Sequence, residues 1–195
     1  MTSKGDKTKQ RIITEATKLV QKKGFEATSM SDLVQATGLQ KGCLYFHFTG
    51  KDELLFAILE KSKVDFFGLI DGSLQGATPA DKLENFLQGV IDYQKSMGFS
   101  GGCIFGNIAS EMSDKDKRVS AFVSTLFDEW IEKIRKIIQA AQKTGNVTKD
   151  IPADALARQI VMSLEGGIML SRLEKSEKPL KDCLRSLKIM IGLKK

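Results

Sequence analysis

Nowhere in these 195 residues do apolar and polar side chains alternate over a sustained run, and only three prolines interrupt the chain. Apolar residues recur instead every three or four positions, the period of a helix with one buried face. That spacing predicts an all-α chain of about nine helices. The first, over 7–23, carries Ile12, Ile13, Ala16, Leu19 and Val20 on one stripe and stops at Gly24. Ser29 with Asp32 three residues later reads as a reciprocal cap for a short helix over 30–37. Gly38 ends it, and a second short helix follows over 41–47. A fourth starts near Asp52 and runs to about 70, after which DGSLQGAT reads as a linker. Thr78-Pro79-Ala80-Asp81 opens the fifth with a cap, a proline at the first position and an acid at the third. It ends near Gly98. A short sixth helix lies within GGCIFGNIASEM, and a long seventh runs from a cap at 113–116 to Gly145-Asn146. The eighth and ninth cover 153–175 and 179–192.

Charge is distributed unevenly. Residues 1–51 hold nine Lys/Arg against four Asp/Glu, whereas the rest hold 21 against 20. The basic excess therefore sits in the first quarter of the chain, as expected of a surface that meets a polyanion. No apolar run approaches the roughly 18 residues a bilayer span needs. The start, MTSKGDKTKQ, lacks the apolar stretch of a signal peptide. Three widely spaced cysteines, Cys43, Cys103 and Cys183, form no CxxC pair. They argue against a disulfide framework or a zinc site and suit a reducing cytoplasm. No metal site, cofactor or membrane partner is expected.

Two short helices separated by Gly38-Leu39-Gln40 and preceded by a longer one form the pattern of a helix-turn-helix. In such a unit the second helix enters the major groove. This explains why LYFHF, with the only histidine, His47, lies beside lysines: Leu44 and Phe48 turn into a small core, and the rest faces outward. The stretch GFEATSMSDLVQATGLQKGCLYFHFTGKDELL resembles the TetR family of bacterial transcriptional repressors, closely over residues 7–60. The resemblance implies a homodimer, a double-stranded DNA operator, and a C-terminal domain that binds a small effector. By position, Thr28, Ser29, Tyr45 and Lys51 are implied phosphate anchors. Ser31, Lys41, Gly42, Cys43, Phe46 and His47 are implied to face the groove. Many members have Ser or Thr at Cys43, and the residue at Phe46 varies, so Phe46 says little about which bases are read. The expected domains are residues 1–50 for DNA and 51–195 for effector binding and dimerisation.

In the C-terminal part, Phe67, Phe86, Tyr93, Cys103, Phe105, Phe127, Trp130 and Met162 are expected to line an effector pocket between helices. Each of these apart from Cys103, taken singly, is better explained as core than as an effector contact. An apolar or aromatic effector fits their chemistry. Ser163, Gly166 and Gly167 on the eighth helix, with Leu180, Leu184, Leu187 and Ile191 on the ninth, are expected to form a four-helix dimer seam. Burial within one chain is the competing explanation. Cys103 follows two glycines at a helix start, where the dipole favours a thiolate, and Arg172 is a possible positive neighbour. A structural cysteine is the preferred reading, and a thiol-based sensor of oxidants or electrophiles on the same scaffold is the alternative. A thiol enzyme lacks a base near Cys103, because the lone His47 lies in the second short helix. A nonspecific nucleic-acid-binding protein remains a third class, distinguished by the absence of any operator preference. The whole points to a non-enzymatic, ligand-responsive repressor.

Overall fold

The computed structural model describes residues 3–194. Among these, nine α-helices and no strands occur: α1 (Lys4–Lys23), α2 (Met30–Thr37), α3 (Lys41–His47), α4 (Lys51–Ser73), α5 (Pro79–Ser96), α6 (Ile104–Met112), α7 (Lys117–Lys143), α8 (Ala153–Glu174) and α9 (Lys178–Met190). The helices are set by the local signals read above. Ser29 accepts from the Asp32 amide while Asp32 accepts from the Ser29 amide, and Thr78 and Asp81 do the same for α5. One start was not anticipated. Ser3 and Asp6 form a third such box, so α1 begins at Lys4 rather than near residue 7. Each box satisfies amides that a helix start leaves without partners.

The chain divides into two compact units, one of residues 1–65 and 104–121, the other of 66–103 and 122–195. In the first, Ile12, Ala16, Leu33, Leu44, Phe48, Leu55 and Ile58 are fully or almost fully buried. Leu44 and Phe48 thus hold the inward places expected of them. On α2, Leu33 is buried while Met30 and Val34 are only partly covered, because eight residues offer the helix little more than one inward position per turn.

In the second unit, α5, α8, α9 and the distal part of α7 enclose one apolar core. It includes Leu83, Phe86, Leu87, Trp130, Ile134, Ile138, Leu156, Ile160 and Leu164. Leu180, Leu184, Leu187 and Ile191 of α9 belong to this same core. The expectation that these four form a seam with a second copy is therefore corrected: the single chain already buries them. Gly167 lies against α9 in this packing. A Cβ there would lie 3.0 Å from Leu180 Cδ1 and 3.2 Å from Cys183 Cβ, tight enough that α9 would have to shift by a few tenths of an ångström to admit it. The Cys183 thiol donates to the Ser163 carbonyl across the same contact.

Candidate functional site

The first unit presents α3 on a braced platform. Gly38 takes a left-handed conformation (φ 64°, ψ 16°) and its amide donates to the Val34 carbonyl, which closes α2 and reverses the chain within three residues. A side chain would be strained in that conformation. The buried Thr37 hydroxyl donates to the Leu33 carbonyl and accepts from the Leu39 amide. Arg11 of α1 donates to the Thr37 carbonyl. The turn is thus held from both sides, which fixes how α3 projects.

On α3, Lys41, Gly42, Tyr45 and Phe46 are exposed, while Cys43 and His47 are partly covered. The Lys41 ammonium lies over the Tyr45 ring, 5.8 Å from its centre. Phe46 is 84% exposed, the most exposed large apolar side chain among the described residues. It meets the His47 ring edge-on at 5.1 Å between centroids. Ser31 is exposed on α2. Ser29 is exposed too, but its hydroxyl is engaged with Asp32, donating at 2.6 Å. Lys51, the first residue of α4, donates to the Glu26 carbonyl at 3.0 Å and stacks 4.4 Å over Phe25. Its ammonium has further protons to donate.

Thr28 does not fit the role expected of it. It is 3% exposed, its hydroxyl donates to the Gly24 carbonyl and its amide to the Phe25 carbonyl. With both donors used inside the α1–α2 turn, its side chain is a structural brace.

Sequence reading missed what else holds that turn. The Glu111 carboxylate of α6 accepts from the Glu26 amide at 2.9 Å, and Lys115 pairs with the Glu26 carboxylate at 2.6 Å. These partners are more than 80 positions apart, and no local pattern couples them.

The residues expected around an effector separate. Phe86 and Trp130 are buried in the second unit, and Phe67 and Phe127 pack partly buried against the same core. Trp130 sits edge-on to Phe66 at 5.0 Å and 5.9 Å from Phe127. Tyr93 is half-exposed on α5, and Met162 is 56% exposed on α8, on the outside of this core. Phe105 is fully buried and belongs to the first unit. Two polar atoms in the second unit are buried without a hydrogen-bond partner, Trp130 Nε1 and Glu165 Oε1. Burial pushes the Glu165 carboxyl above its ordinary range, and a hydrogen bond with Cys103 acts in the opposite direction. No signal in the sequence had singled out Glu165.

Cys103 therefore shares its surroundings with a carboxyl, and the Arg172 side chain lies beside Gly102. The hydrogen bond with Glu165 gives Cys103 a structural partner, and this geometry gives no support to the sensor alternative. Among the described residues no group of His, Cys, Asp and Glu is arranged to hold a metal ion, and no helix is long and apolar enough to cross a membrane.

Comparison with known proteins carries this geometry to a family. Residues 12–58 match the domain of bacterial regulatory proteins of the tetR family, and residues 79–187 match the tetracyclin repressor-like C-terminal domain. The chain belongs to the TetR family of bacterial transcriptional regulators. A TetR transcriptional regulator from Chloroflexus aurantiacus superposes with a TM-score of 0.88 at 30% identity, covering 97% of this chain and 98% of that one. The transcriptional repressor DhaR of a Mycobacterium species is 25% identical over 174 residues, 88% of this chain and 86% of its own length. The regulator AcuR of Cereibacter sphaeroides is 26% identical over 179 residues, 91% and 82% of the two chains. The TetR chain described here is thus a DNA-binding regulator with its helix-turn-helix at α2–α3.

Proposed function

We propose that this protein is a dimeric repressor that leaves a palindromic operator when a small molecule enters its C-terminal unit. The observation that carries the DNA half of this reading is the outward face of α3, where Lys41, Gly42, Tyr45 and Phe46 stand exposed on a braced turn. Tyr45, Lys51 and Ser31 at the rim of that face contact phosphate or groove, with Ser29 supporting them through the α2 start. Cys43 and His47 take flanking places on α3. Half-sites lie about one helical turn apart or somewhat more.

Dimerisation uses the outer face of α8 and α9. Met162, Met169, Leu170, Leu173, Ile189 and Met190 are exposed there, and around Gly166 on the same helix no described atom lies within 4 Å of a Cβ position. A run of exposed apolar side chains with a glycine among them suits close approach of a second copy. Ser163 and Gly166 remain in this interface, and Gly167 and the four α9 core residues leave it.

The effector occupies the aromatic part of the second unit, near Phe67, Phe86, Phe127 and Trp130. The unpartnered Trp130 Nε1 and Glu165 Oε1 support an effector that is apolar in bulk and carries polar groups, since a buried polar atom without a partner is costly until one is supplied. Effector affinity that differs between DNA-bound and free forms weakens operator binding by linkage. The test is selection from a random DNA pool with the purified full-length chain. Recovery of one palindrome bound by a dimer supports the reading, and retention without sequence preference would reject it. Because Trp130 is the only tryptophan, its emission gives a direct readout for effector titration on the same preparation.

A further inference from the structure

We infer that Phe46 selects thymine in each half-site by contact with its C5-methyl group. The inference rests on the DNA-binding reading above. Positions 41, 42, 45 and 46 form one face of α3, and they are not alike. Lys41 lies over the Tyr45 ring, so these two present charge and a hydroxyl. Beyond its own stretch of helix nothing stands within 4 Å of where a Gly42 Cβ would be, so the surface one turn from Phe46 is open. The Phe46 ring is 84% exposed and takes no part in the core of its unit.

A phenyl ring has neither donor nor acceptor. Pressed against the amino and carbonyl groups of the major-groove edge, it strips water without replacing the hydrogen bonds, which disfavours those base pairs. The apolar group presented in that groove is the thymine methyl. An exposed ring on an open face therefore favours thymine, and penalises a cytosine or guanine edge at the same place. The occupant of this face is nucleic acid rather than an apolar protein surface, because residues 1–51 carry five more basic than acidic side chains.

The experiment uses the full-length protein and the operator recovered by selection. Each thymine is replaced in turn by deoxyuridine, which removes the methyl and keeps every hydrogen-bonding group. Affinity is measured by fluorescence anisotropy at one fixed salt concentration. One position per half-site is expected to weaken binding about fourfold, the effect of one buried methyl. Phe46→Ala is expected to bind thymine and uracil operators equally at that position, with an unchanged melting temperature because the ring is on the surface. The proposal is overturned if no thymine-to-uracil change matters, or if Phe46→Ala still discriminates. Failure to recover any operator would instead defeat the DNA reading on which it rests.

Discussion

Lys51 and Lys41 are both lysines near the reading face, yet the proposed function gives them different tasks. Lys51 is tied to the Glu26 carbonyl and the Phe25 ring at the base of α4, a place suited to a phosphate. Lys51→Ala should weaken binding to every sequence and lower the salt dependence by about 0.9 in log–log slope, the share of one phosphate contact. Lys41→Ala should instead alter which base pairs selection recovers. Equal recovery profiles for both variants would show that the reading face is misassigned. Glu165 yields a second test. Its folded-state pKa is raised by burial, so ionising it costs more in the fold than in the unfolded chain. The stability it contributes is present below its ordinary value of 4.5 and is lost as pH rises through the raised value. Glu165→Gln should therefore melt higher than the parent at pH 7–8, by about 2–4 °C for each kcal/mol released. The two melting curves should converge as pH falls toward 4.5. A variant that melts lower at pH 8 would mean that the carboxylate has a charged partner. The two lysine roles were implied by the sequence, whereas the burial of Glu165 was not legible beforehand, because it depends on which way α8 is turned.

Single helices were the most legible level. A capping box is four residues long, so Ser29–Asp32 and Thr78–Asp81 announced α2 and α5 without help from the rest of the chain. The same chemistry at Ser3–Asp6 went unread because it lies in a polar stretch with no apolar stripe to mark a helix. What local patterns do not reveal is the partner of a stripe. Leu180, Leu184, Leu187 and Ile191 repeat at spacing that suits an internal seam as well as an intermolecular one. The adjacent glycines of α8 make the difference measurable. Gly167→Val should destabilise the chain by roughly 1–3 kcal/mol in urea unfolding, because its branched side chain would meet Leu180 and Cys183. Gly166→Ala, with open space around its Cβ, should leave the fold equally or slightly more stable, by up to about 1 kcal/mol. Equal effects at the two positions would contradict the packing of α9 on α8.

For the whole molecule, the exposed and buried sides of α8 and α9 predict opposite outcomes for similar substitutions. Leu173 and Ile189 are 72% and 74% exposed, whereas Leu187 is 3% exposed. Leu173→Glu combined with Ile189→Glu should give a folded monomer in sedimentation, with helical content retained and operator affinity reduced at least tenfold. Leu187→Glu should unfold the second unit, since a charge placed in an apolar core without a partner is strongly unfavourable. A double variant that remains dimeric would move the interface elsewhere. The family, the helix-turn-helix and the number of helices were legible in the sequence, because each rests on local residues. The assignment of surfaces was not, because exposure is a property of the folded chain.

Gly166 and Gly167 stand next to each other, yet one borders open space and the other the chain's own α9. On the proposed interface, the side chains that hold the unit together and those offered to a second copy are separate sets on the same two helices. Pairing preference can drift, or be redesigned, on the outer set while folding is left to the inner one. A cell holding many regulators of this build could keep their dimers from mixing by exchanging a few methionines and leucines for partners of different shape. The DNA-reading heads would need no change.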